Sequence, residues 1–354
     1  MTDLTLEAIV VNQIKRKGVI SFSEFMEMAL YYPELGYYRR SAPMDDFYTS
    51  ADVNPIFGKI LARFIYDEWK NGLKTEENFS IVELGAGWGK LASDIIEWLS
   101  ANAPDCFNKL KYTCVESSGL RRKKCSELNA KFGNKVEIRQ DFGFAERSIS
   151  GIVLSNEFFD AIPFDRVVKQ NGRLREVFID DTLKEITLTP SKDISEYFDW
   201  LGHEPPEGCR GEAHPPLRSW MRKIAKALRK GTILSVDYGY VSQELYSDIR
   251  PEGTALCHFR HETNREFYKN IGLQDITAHI NFTTLVKEAK TWGMESSPLR
   301  TQSEFLIDNG LAEMLDAIRS EIDPRKNLKA SSAVKSLIHP EGMGGVFKVL
   351  VQRK

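Results

Sequence analysis

Glycines alternate with other residues along one short stretch, 83–89, which reads ELGAGWG. The stretch follows an apolar run at 79–84, and apolar residues at helical spacing continue from it over 91–99. A glycine turn lets the backbone reverse sharply, and a ligand can approach its amide groups because no side chain stands in the way. A strand, a glycine turn and a helix in this order are typical of the entry to a nucleotide-cofactor site in a doubly wound α/β sheet.

The spacing of these glycines distinguishes between cofactors. A dinucleotide fingerprint, G-x-G-x-x-G, needs a glycine where this chain has Lys90. The observed pattern, E-x-G-x-G-x-G, resembles motif I of class I S-adenosylmethionine (SAM) methyltransferases. SAM has no pyrophosphate, and its carboxylate can use the amide groups at a helix N-terminus. We therefore predict a SAM site at 83–89, and a glycine loop without a ligand is the open alternative.

Glu116 follows the second predicted strand, 112–115, and precedes Ser117 and Ser118. In sheets of this kind, an acidic residue at the end of the second strand grips the ribose of the cofactor. A carboxylate suits this role because it can accept hydrogen bonds from both hydroxyl groups. We predict Glu116 and Ser117 as cofactor-binding residues. Capping of the next helix by either serine is the structural alternative, and it is compatible with ribose binding.

Polar residues also follow the third and fourth predicted strands. Gln140 and Asp141 come after the third, at the expected position of an adenine edge, although a turn explains Asp141 equally well. Asn156, Glu157 and Asp160 come after the fourth, whose apolar residues predict burial. A buried strand that ends in an amide and carboxylates is costly unless these groups face a cleft, and ligands bind at this edge of such sheets. These last three residues are the candidate catalytic groups.

The composition argues against several classes of protein and site. Of the 354 residues, 42% are hydrophobic and 28% charged, which is typical of a soluble globular chain, and the net charge of −2 gives no field that favours nucleic acid. The five cysteines form no CxxC pair and the six histidines no i, i+4 pair, so we predict no metal site. An odd number of scattered cysteines fits a reducing compartment. With no signal peptide and no apolar run of spanning length, we expect a cytoplasmic protein without membrane insertion.

The order of predicted elements indicates an α/β fold: a Rossmann-like, doubly wound sheet of the class I SAM-methyltransferase type, with an N-terminal helical arm and an antiparallel β insertion. Asn171-Gly172 is a hairpin signal, whereas 191–216 predicts no regular element. Ser21 is the predicted cap of a helix from Phe22, and Gly310 is predicted to divide a C-terminal helix. These elements predict a division of the chain into four segments: 1–75, the arm with a loop over the cofactor; 76–164, the SAM-binding core; 165–216, a β-hairpin and irregular insertion; and 217–354, the rest of the core with substrate-cleft segments.

Two further stretches allow a structural and a functional interpretation. Four tyrosines at 31–38 surround a Pro-x-x-Gly turn, and they either fix the N-terminal arm or form a wall of the substrate site. Tyr48, Thr49 and Ser50 lie in a polar loop before a predicted helix. Helix capping alone can account for the two hydroxyl residues at its end.

Longer motifs connect these observations to one family. They are ISFSEFMEMALYYPELGYY, DFYTSADVNPIFG, ELGAGWGKL, VESS, SNEFFDAIPFD, GEAHP, SVDYG, QDITAHINF and GMGGVFKVL, and they cover nearly the whole chain. Together they resemble the MidA-type SAM-dependent methyltransferases. The mitochondrial member of that family is a complex I assembly factor that methylates arginine in a complex I subunit. SNEFFDAIP and DFYTS carry the most specific part of the resemblance.

The resemblance and the strand-end positions together assign roles to individual residues. Next to the transferred methyl group they place Asn156, Glu157 and Asp160. The family pattern E-x-N-P has asparagine before the proline, whereas this chain has His214 before Pro215. This difference bears on the identity of the substrate and leaves the SAM site intact. In the cofactor site they place Tyr48, Thr49, Ser50, Glu83, Gly85, Ala86, Gly87, Glu116, Ser117, Gln140, Asp141 and Asn156.

The methyl group of SAM is already activated by a positively charged sulfur, so the protein mainly has to position the nucleophile. If the acceptor is arginine, its guanidinium is protonated at pH 7, and Glu157 and Asp160 can grip it and disperse its charge. We therefore expect a SAM-dependent methyltransferase that leaves S-adenosyl-L-homocysteine and acts on arginine in a protein partner. A small-molecule methyltransferase and a SAM-binding assembly factor without catalysis are the open alternatives.

Overall fold

Short strands and helices alternate along most of the chain. The structure, a computed structural model, describes residues 5–40, 50–319, 331–332 and 334–354. In chain order its strands are β1 Ile20–Ser21, β2 Phe79–Leu84, β3 Leu110–Val115, β4 Val136–Arg139, β5 Ile149–Asn156, β6 Asp165–Gln170, β7 Arg173–Ile179, β8 Glu185–Leu188, β9 Arg210–Ala213, β10 Leu228–Tyr240, β11 Leu256–Phe259, β12 Glu262–Asn264, β13 Asp275–Thr277, β14 Ile280–Asn281, β15 Glu295–Ser296, β16 Arg300–Thr301 and β17 Phe347–Arg353. Its α-helices include α1 Leu6–Lys17, α2 Phe22–Tyr31, α3 Ser50–Val53, α4 Ile56–Glu68, α5 Lys90–Asn102, α6 Pro104–Lys109, α7 Gly119–Cys125, α8 Glu127–Phe132, α9 Lys192–Leu201, α10 Pro215–Ala227, α11 Ser242–Leu245, α12 Phe282–Thr291, α13 Gln302–Asp308, α14 Leu311–Arg319 and α15 Met343–Val346. Among the residues described, no helix combines the length and apolar content that a membrane crossing requires.

The chain divides into two units, and each draws on three separate stretches. The core unit consists of Tyr48–Phe158, Arg222–Tyr238 and Ala289–Lys354. The arm unit consists of Met1–Phe47, Phe159–Met221 and Gly239–Glu288. The four segments predicted from the sequence instead run consecutively along the chain, so their boundaries and those of the two units fall at different places.

The sheet of the core unit is mostly parallel. Its strand order is β4–β3–β2–β5–β10–β17–β15, and β16 also pairs with β17. The strands from β4 to β10 run parallel, whereas β17 runs antiparallel to β10. The chain builds outwards from β2 to β4 and then returns to the other side of β2 with β5. This confirms the predicted doubly wound sheet and places its topological switch point at β2 and β5, where ligands bind at the carboxyl ends.

Helices α4 and α5 pack against each other in the hydrophobic core of this unit. Burying one large aliphatic side chain contributes about 1.5–3 kcal/mol, so a helix with several of them is firmly fixed. The position of α5 matters for the site because the glycine turn connects it directly to β2. The apolar face predicted for α5 is the buried one, with Leu91, Ile95, Ile96 and Leu99.

The arm unit contains two antiparallel sheets, β1–β7–β6–β9 with β8 added to β7, and β12–β11–β13. Ser21 caps α2 as predicted, because its hydroxyl accepts the backbone N–H of Glu24 at 3.2 Å. Phe22, the first residue of α2, lies in an aromatic cluster. Its ring centroid is 5.4 Å from that of Phe164 and 5.2 Å from that of Phe267. The N-terminal arm is therefore held by a cap and by aromatic packing.

Two predictions for the insertion have opposite outcomes. The hairpin signal is confirmed, because β6 and β7 turn at Asn171 and Gly172, with φ of 54° and 70°. The prediction of no regular element over 191–216 is wrong, because α9 and β9 lie there. The intervening acidic residues obscure the apolar face of α9 in the sequence, although its buried side chains have helical spacing: Ile194, Tyr197, Phe198 and Leu201.

The C-terminal helices of the core unit begin and end as their residues predict. Gly310 has a φ of 97° and lies between α13 and α14, which confirms that it divides the helical stretch. Thr301 and Glu304 form a capping box at the start of α13. This cap fixes the first residue of α13, Gln302, which is fully buried.

Candidate active site

The glycine turn begins where β2 ends. The backbone N–H groups of Gly85 and Ala86 donate to the Val115 carbonyl oxygen at 2.9 and 3.2 Å. Gly85 has a φ of 67°, and a Cβ there would lie 2.9 Å from a ring carbon of Phe158. Gly87 has a φ of 55°, and among the residues described a Cβ there would meet, within 4 Å, only the Gly85 carbonyl oxygen, at 3.9 Å. The described part of the chain thus leaves the backbone at Gly87 uncovered, which fits the close approach of SAM.

Glu116 connects this turn to the helix that follows β3. Its Oε2 accepts the Gly87 N–H at 3.0 Å, and its Oε1 accepts the Ser118 N–H at 2.7 Å. Ser118 also caps α7, as the structural alternative predicts, and the Ser117 carbonyl oxygen accepts a guanidinium N–H of Arg122 at 2.6 Å. A carboxylate has about four lone-pair positions, and groups in the described part of the chain use two of them. Glu116 can therefore hold the glycine turn and accept ribose hydroxyl groups as well.

Glu83 is buried, and its carboxyl group accepts the Tyr112 hydroxyl at 2.8 Å. Burial raises the pKa of Glu83 to about 8, in spite of the Tyr112 hydrogen bond, which lowers it. The carboxyl group is therefore mostly protonated at pH 7. Sequence reasoning missed Tyr112, although a polar residue in a buried strand requires a partner on the same face of a neighbouring strand. The structure shows this internal hydrogen bond, and direct contact between Glu83 and SAM stays a prediction.

Asn156 ends β5, and Glu157 directly follows it with a φ of 51°. A non-glycine residue in this left-handed region is strained, and such strain concentrates at functional sites. The Glu157 N–H donates to the Val236 carbonyl oxygen at 3.0 Å. Its carboxylate Oε1 accepts the Ser50 N–H at 2.9 Å and the Asn156 Nδ2 at 3.1 Å. The Glu157 carboxylate is therefore held from the sheet and from α3.

The Asn156 amide leaves an acceptor unused. Because its Nδ2 donates to Glu157, the orientation of the amide group is fixed. Its Oδ1 is buried and has no hydrogen-bond partner among the residues described. A buried acceptor without a partner costs about 1–3 kcal/mol. A ligand with an N–H group would remove that cost, so the end of β5 fits a ligand that donates hydrogen bonds.

Asp160 belongs to the arm unit, where it and Asp275 are buried. The Tyr38 hydroxyl donates to Asp275 Oδ2 at 2.7 Å, and its ring stacks on that of Tyr31, with centroids 5.5 Å apart. The Tyr31 hydroxyl donates to the Ala161 carbonyl oxygen at 2.8 Å. Burial, and after it the charge of Asp275, raises the pKa of Tyr38 well above its usual range. These contacts favour the structural interpretation of the tyrosine-rich stretch within this unit.

The other predicted cofactor residues have different surroundings. Gln140 and Asp141 follow β4 directly and are exposed. Ser50, in α3, is fully buried, and its hydroxyl donates to a residue that sequence reasoning missed, Gln302. No motif in the sequence singles out Gln302. The predicted residues Tyr48 and Thr49 lie outside the described residues.

The described ranges contain no cluster of three or more His, Cys, Asp or Glu side chains that is arranged to hold a metal ion. The five cysteines are buried and are not joined by disulfide bonds. Metal-independent activity stays a prediction. The chemistry available at the ends of β2, β3 and β5 is that of backbone amide groups, two carboxylates and an amide acceptor.

Comparison with known proteins identifies relatives along almost the whole chain. The family model described as "Putative S-adenosyl-L-methionine-dependent methyltransferase" matches residues 60–298. Protein arginine methyltransferase NDUFAF7, mitochondrial, of Danio rerio is 26% identical over 379 residues, which cover 95% of this chain and 84% of that protein. Its Homo sapiens counterpart is 26% identical over 371 residues, which cover 95% and 80%. A Burkholderia thailandensis protein, solved with S-adenosyl-homocysteine bound, is 29% identical with a TM-score of 0.85, and the match covers 99% of this chain and 92% of that one.

These comparisons agree with the site geometry. The Burkholderia structure confirms the predicted class I fold, and its bound S-adenosyl-homocysteine supports SAM as the cofactor. The family model spans more than half of the 354-residue chain and includes the glycine turn, Glu116, Asn156 and Glu157. The chain therefore belongs to this family of SAM-dependent methyltransferases.

Proposed function

We propose that this methyltransferase transfers the methyl group of SAM to the guanidinium group of an arginine in a protein partner. The observation that carries the proposal is the pair at the end of β5. There the Glu157 carboxylate is held in a fixed position, and the Asn156 Oδ1 beside it is buried without a partner among the residues described. A guanidinium group has only donors, so every group that binds it must be an acceptor. Its positive charge also requires a nearby negative charge when it leaves water.

The cofactor side of the site is formed by groups around the glycine turn. The glycine turn would let SAM approach the backbone closely, the N-terminus of α5 would hold its amino-acid part, and Glu116 would hold its ribose. Bound SAM supplies a methyl group that is already activated by a positively charged sulfur. The protein therefore needs no further activation of the donor, and its remaining task is to orient the acceptor nitrogen.

The acceptor side would be formed by Asn156 and Glu157. The Glu157 carboxylate would orient one guanidinium nitrogen, and the Asn156 Oδ1 would accept a second N–H group. Transfer would exchange the bond between the methyl carbon and sulfur for a bond to this nitrogen and leave S-adenosyl-homocysteine. The nitrogen would lose one proton, which the Glu157 carboxylate hydrogen-bonded to it would accept. Asp160 stays the predicted second carboxylate for the guanidinium.

The curated relatives support arginine as the acceptor, because proteins named protein arginine methyltransferase match 95% of this chain. We propose a protein substrate on the same ground. The expected compartment, the cytoplasm, also stays a proposal. It follows from the scattered cysteines, whereas the same relatives carry "mitochondrial" in their names.

The test is to incubate the purified protein with methyl-labelled SAM and a protein extract from the same source, and then to locate the label by mass spectrometry. We expect labelled methylarginine in one or a few proteins. A reaction with Glu157→Gln protein is the control for contaminating activities. Label in small molecules alone would support the small-molecule alternative. Tight SAM binding with no labelled product would support the non-catalytic assembly factor.

A further inference from the structure

We infer that Gln302 positions the Glu157 carboxylate through Ser50 and so sets the rate of methyl transfer. The inference rests on the role proposed for Glu157. Gln302 is the first residue of α13 and lies 252 residues from Ser50 in the sequence. It does not belong to any of the motifs that indicate a methyltransferase.

A continuous series of hydrogen bonds connects these residues within the core unit. Gln302 Nε2 donates to the Leu337 carbonyl oxygen at 3.0 Å, and Gln302 Oε1 accepts the Ser50 hydroxyl at 3.1 Å. The Ser50 backbone N–H donates to Glu157 Oε1 at 2.9 Å, and Asn156 Nδ2 donates to the same oxygen at 3.1 Å. Gln302 thus holds the residue that holds the carboxylate.

Burial strengthens this series of hydrogen bonds and leaves the Gln302 side chain little choice of partners. Gln302 and Ser50 are both 0% exposed, and hydrogen bonds are strengthened where water is excluded. The bond from Nε2 to the Leu337 carbonyl oxygen fixes the orientation of the Gln302 amide, so its Oε1 faces Ser50. The Gln302 side chain therefore has one arrangement that satisfies both of its neighbours.

Ser50 joins the two contacts through a single residue. Its hydroxyl donates to Gln302, and its backbone N–H donates to the Glu157 carboxylate. The direction of that N–H depends on where the Ser50 side chain is held, and Gln302 holds it.

Glu157 has a strained backbone that persists only when its surroundings fix it. Val236 and Asn156 fix it from the sheet, and Ser50 fixes it from α3. Without Gln302, the Ser50 N–H would no longer be held against the carboxylate, and Glu157 would sample other directions. Methyl transfer should slow because small displacements from the reactive geometry are costly. SAM binding should change little, because the glycine turn does not depend on this series.

The first test is the variant Gln302→Met, which keeps the side-chain length and removes both hydrogen bonds. We expect kcat to fall by about 10- to 100-fold, with the KM for the acceptor and the affinity for SAM within a few-fold. The matched control is Gln352→Met. Gln352 is also 0% exposed in the core unit, and its Nε2 donates to the Ser296 hydroxyl at 2.9 Å. This control loses a buried glutamine away from Glu157 and should keep kcat within about two-fold.

A double-mutant cycle shows whether Gln302 acts through Glu157. In the Glu157→Gln background, Gln302→Met should cost no further activity, because the group that it positions has already lost its charge. Equal fold-losses in both backgrounds would overturn the inference. Ser50→Ala is the second variant in case Gln302→Met does not fold. It removes the hydroxyl link and keeps the backbone N–H, and we expect a loss of the same size and the same lack of additivity.

Amide hydrogen exchange at Ser50 tests whether Gln302 holds Ser50 in place, and it needs no assay of methylation. Exchange at Ser50 should accelerate in Gln302→Met and stay unchanged in Gln352→Met. Unchanged exchange in Gln302→Met would overturn the inference even if the activity fell. If the wild-type protein methylates no arginine, the proposed function fails. Faster exchange at Ser50 would then still establish Gln302 as the residue that positions Ser50 and Glu157.

Discussion

The glycine turn and Glu157 follow neighbouring strands, β2 and β5, yet they are held in different ways. The turn is shaped by backbone hydrogen bonds to the adjacent β3 and by glycines within five residues of each other. The Glu157 carboxylate is held by Ser50, which is 107 residues away in the sequence, and through it by Gln302. The first site is built from two consecutive strands of the chain and the turn between β2 and α5, and the second from residues that are more than 100 positions apart.

This difference separates the two tasks of a methyltransferase. The residues that fit SAM belong to one strand–turn–helix unit and the strand beside it. The residues that fit the acceptor depend on hydrogen bonds to α3 and α13. Substitutions at the first site should therefore weaken or abolish SAM binding, whereas substitutions at the second should preserve SAM binding and reduce the rate of methyl transfer. The following predictions test that separation.

The largest effect is expected for Gly85→Val. A Cβ at this position would lie 2.9 Å from the Phe158 ring, and the φ of 67° is unfavourable for a β-branched residue. SAM binding should be lost in calorimetry. Gly133→Ala is the control, since its φ of 60° is also positive but a Cβ there meets none of the described residues within 4 Å. It should bind SAM like the wild type, and unchanged affinity in a folded Gly85→Val protein would contradict the cofactor site.

Glu157→Gln should give the next largest effect, because it keeps the shape of the side chain and removes its charge. We expect methyl transfer to fall by about 10²-fold or more, the scale of losing one electrostatic stabiliser, while SAM affinity stays within a few-fold. Glu97→Gln is the control, since that exposed carboxylate pairs with Lys131 and has no part in holding Glu157. Parallel losses of SAM affinity and turnover in Glu157→Gln would make Glu157 a cofactor ligand and remove the proposed separation.

Glu116→Ala should weaken SAM binding to a moderate extent. The variant leaves the ribose hydroxyl groups and the Gly87 N–H without their acceptor, and the expected cost is about 1–3 kcal/mol. At saturating SAM, transfer should recover to near the wild-type rate. Glu127→Ala removes an exposed carboxylate that pairs with Lys124 in the same region, and it should leave the affinity unchanged. A rate that stays low at saturating SAM would assign Glu116 to the transfer step instead.

Glu83→Gln should have the smallest effect on activity and a distinct effect on stability. The folded-state pKa of about 8 lies above the ordinary value of 4.5, so the folded chain binds the extra proton between these values. The contribution of Glu83 to stability therefore falls as pH rises from 4.5 to 8, by about 1.4 kcal/mol per pH unit. Denaturant unfolding at several pH values should show that the stability difference between Glu83→Gln and wild type grows over this window. A constant difference would mean that Glu83 is ionised in the folded protein.

Local patterns in the sequence were sufficient to predict several parts of this molecule. The glycine spacing at 85–89 identified the turn and its cofactor, because positive φ and bare backbone are properties of individual residues. For similar reasons, Asn171-Gly172 predicted a hairpin and Ser21 predicted a helix cap. The doubly wound sheet also followed from the sequence, since parallel strands joined by helices have few possible arrangements. The polar residues at 156–157 were found because a buried strand rarely ends in such groups without a ligand.

Only the tertiary structure decided which distant residues complete the site. The hydrogen bond between Tyr112 and Glu83, the anchoring of Ser50 by Gln302, and the division of the chain into two units that each use three stretches have no local signal. Helix α9 is a different case, because its apolar side chains have helical spacing and are a local signal that the sequence prediction overlooked. For the distant contacts, the physical reason is shared. A side chain's partner is determined by the whole path of the chain, and residues 107 or 252 positions apart come within hydrogen-bond distance, 2.9 and 3.1 Å, only after every element between them has packed.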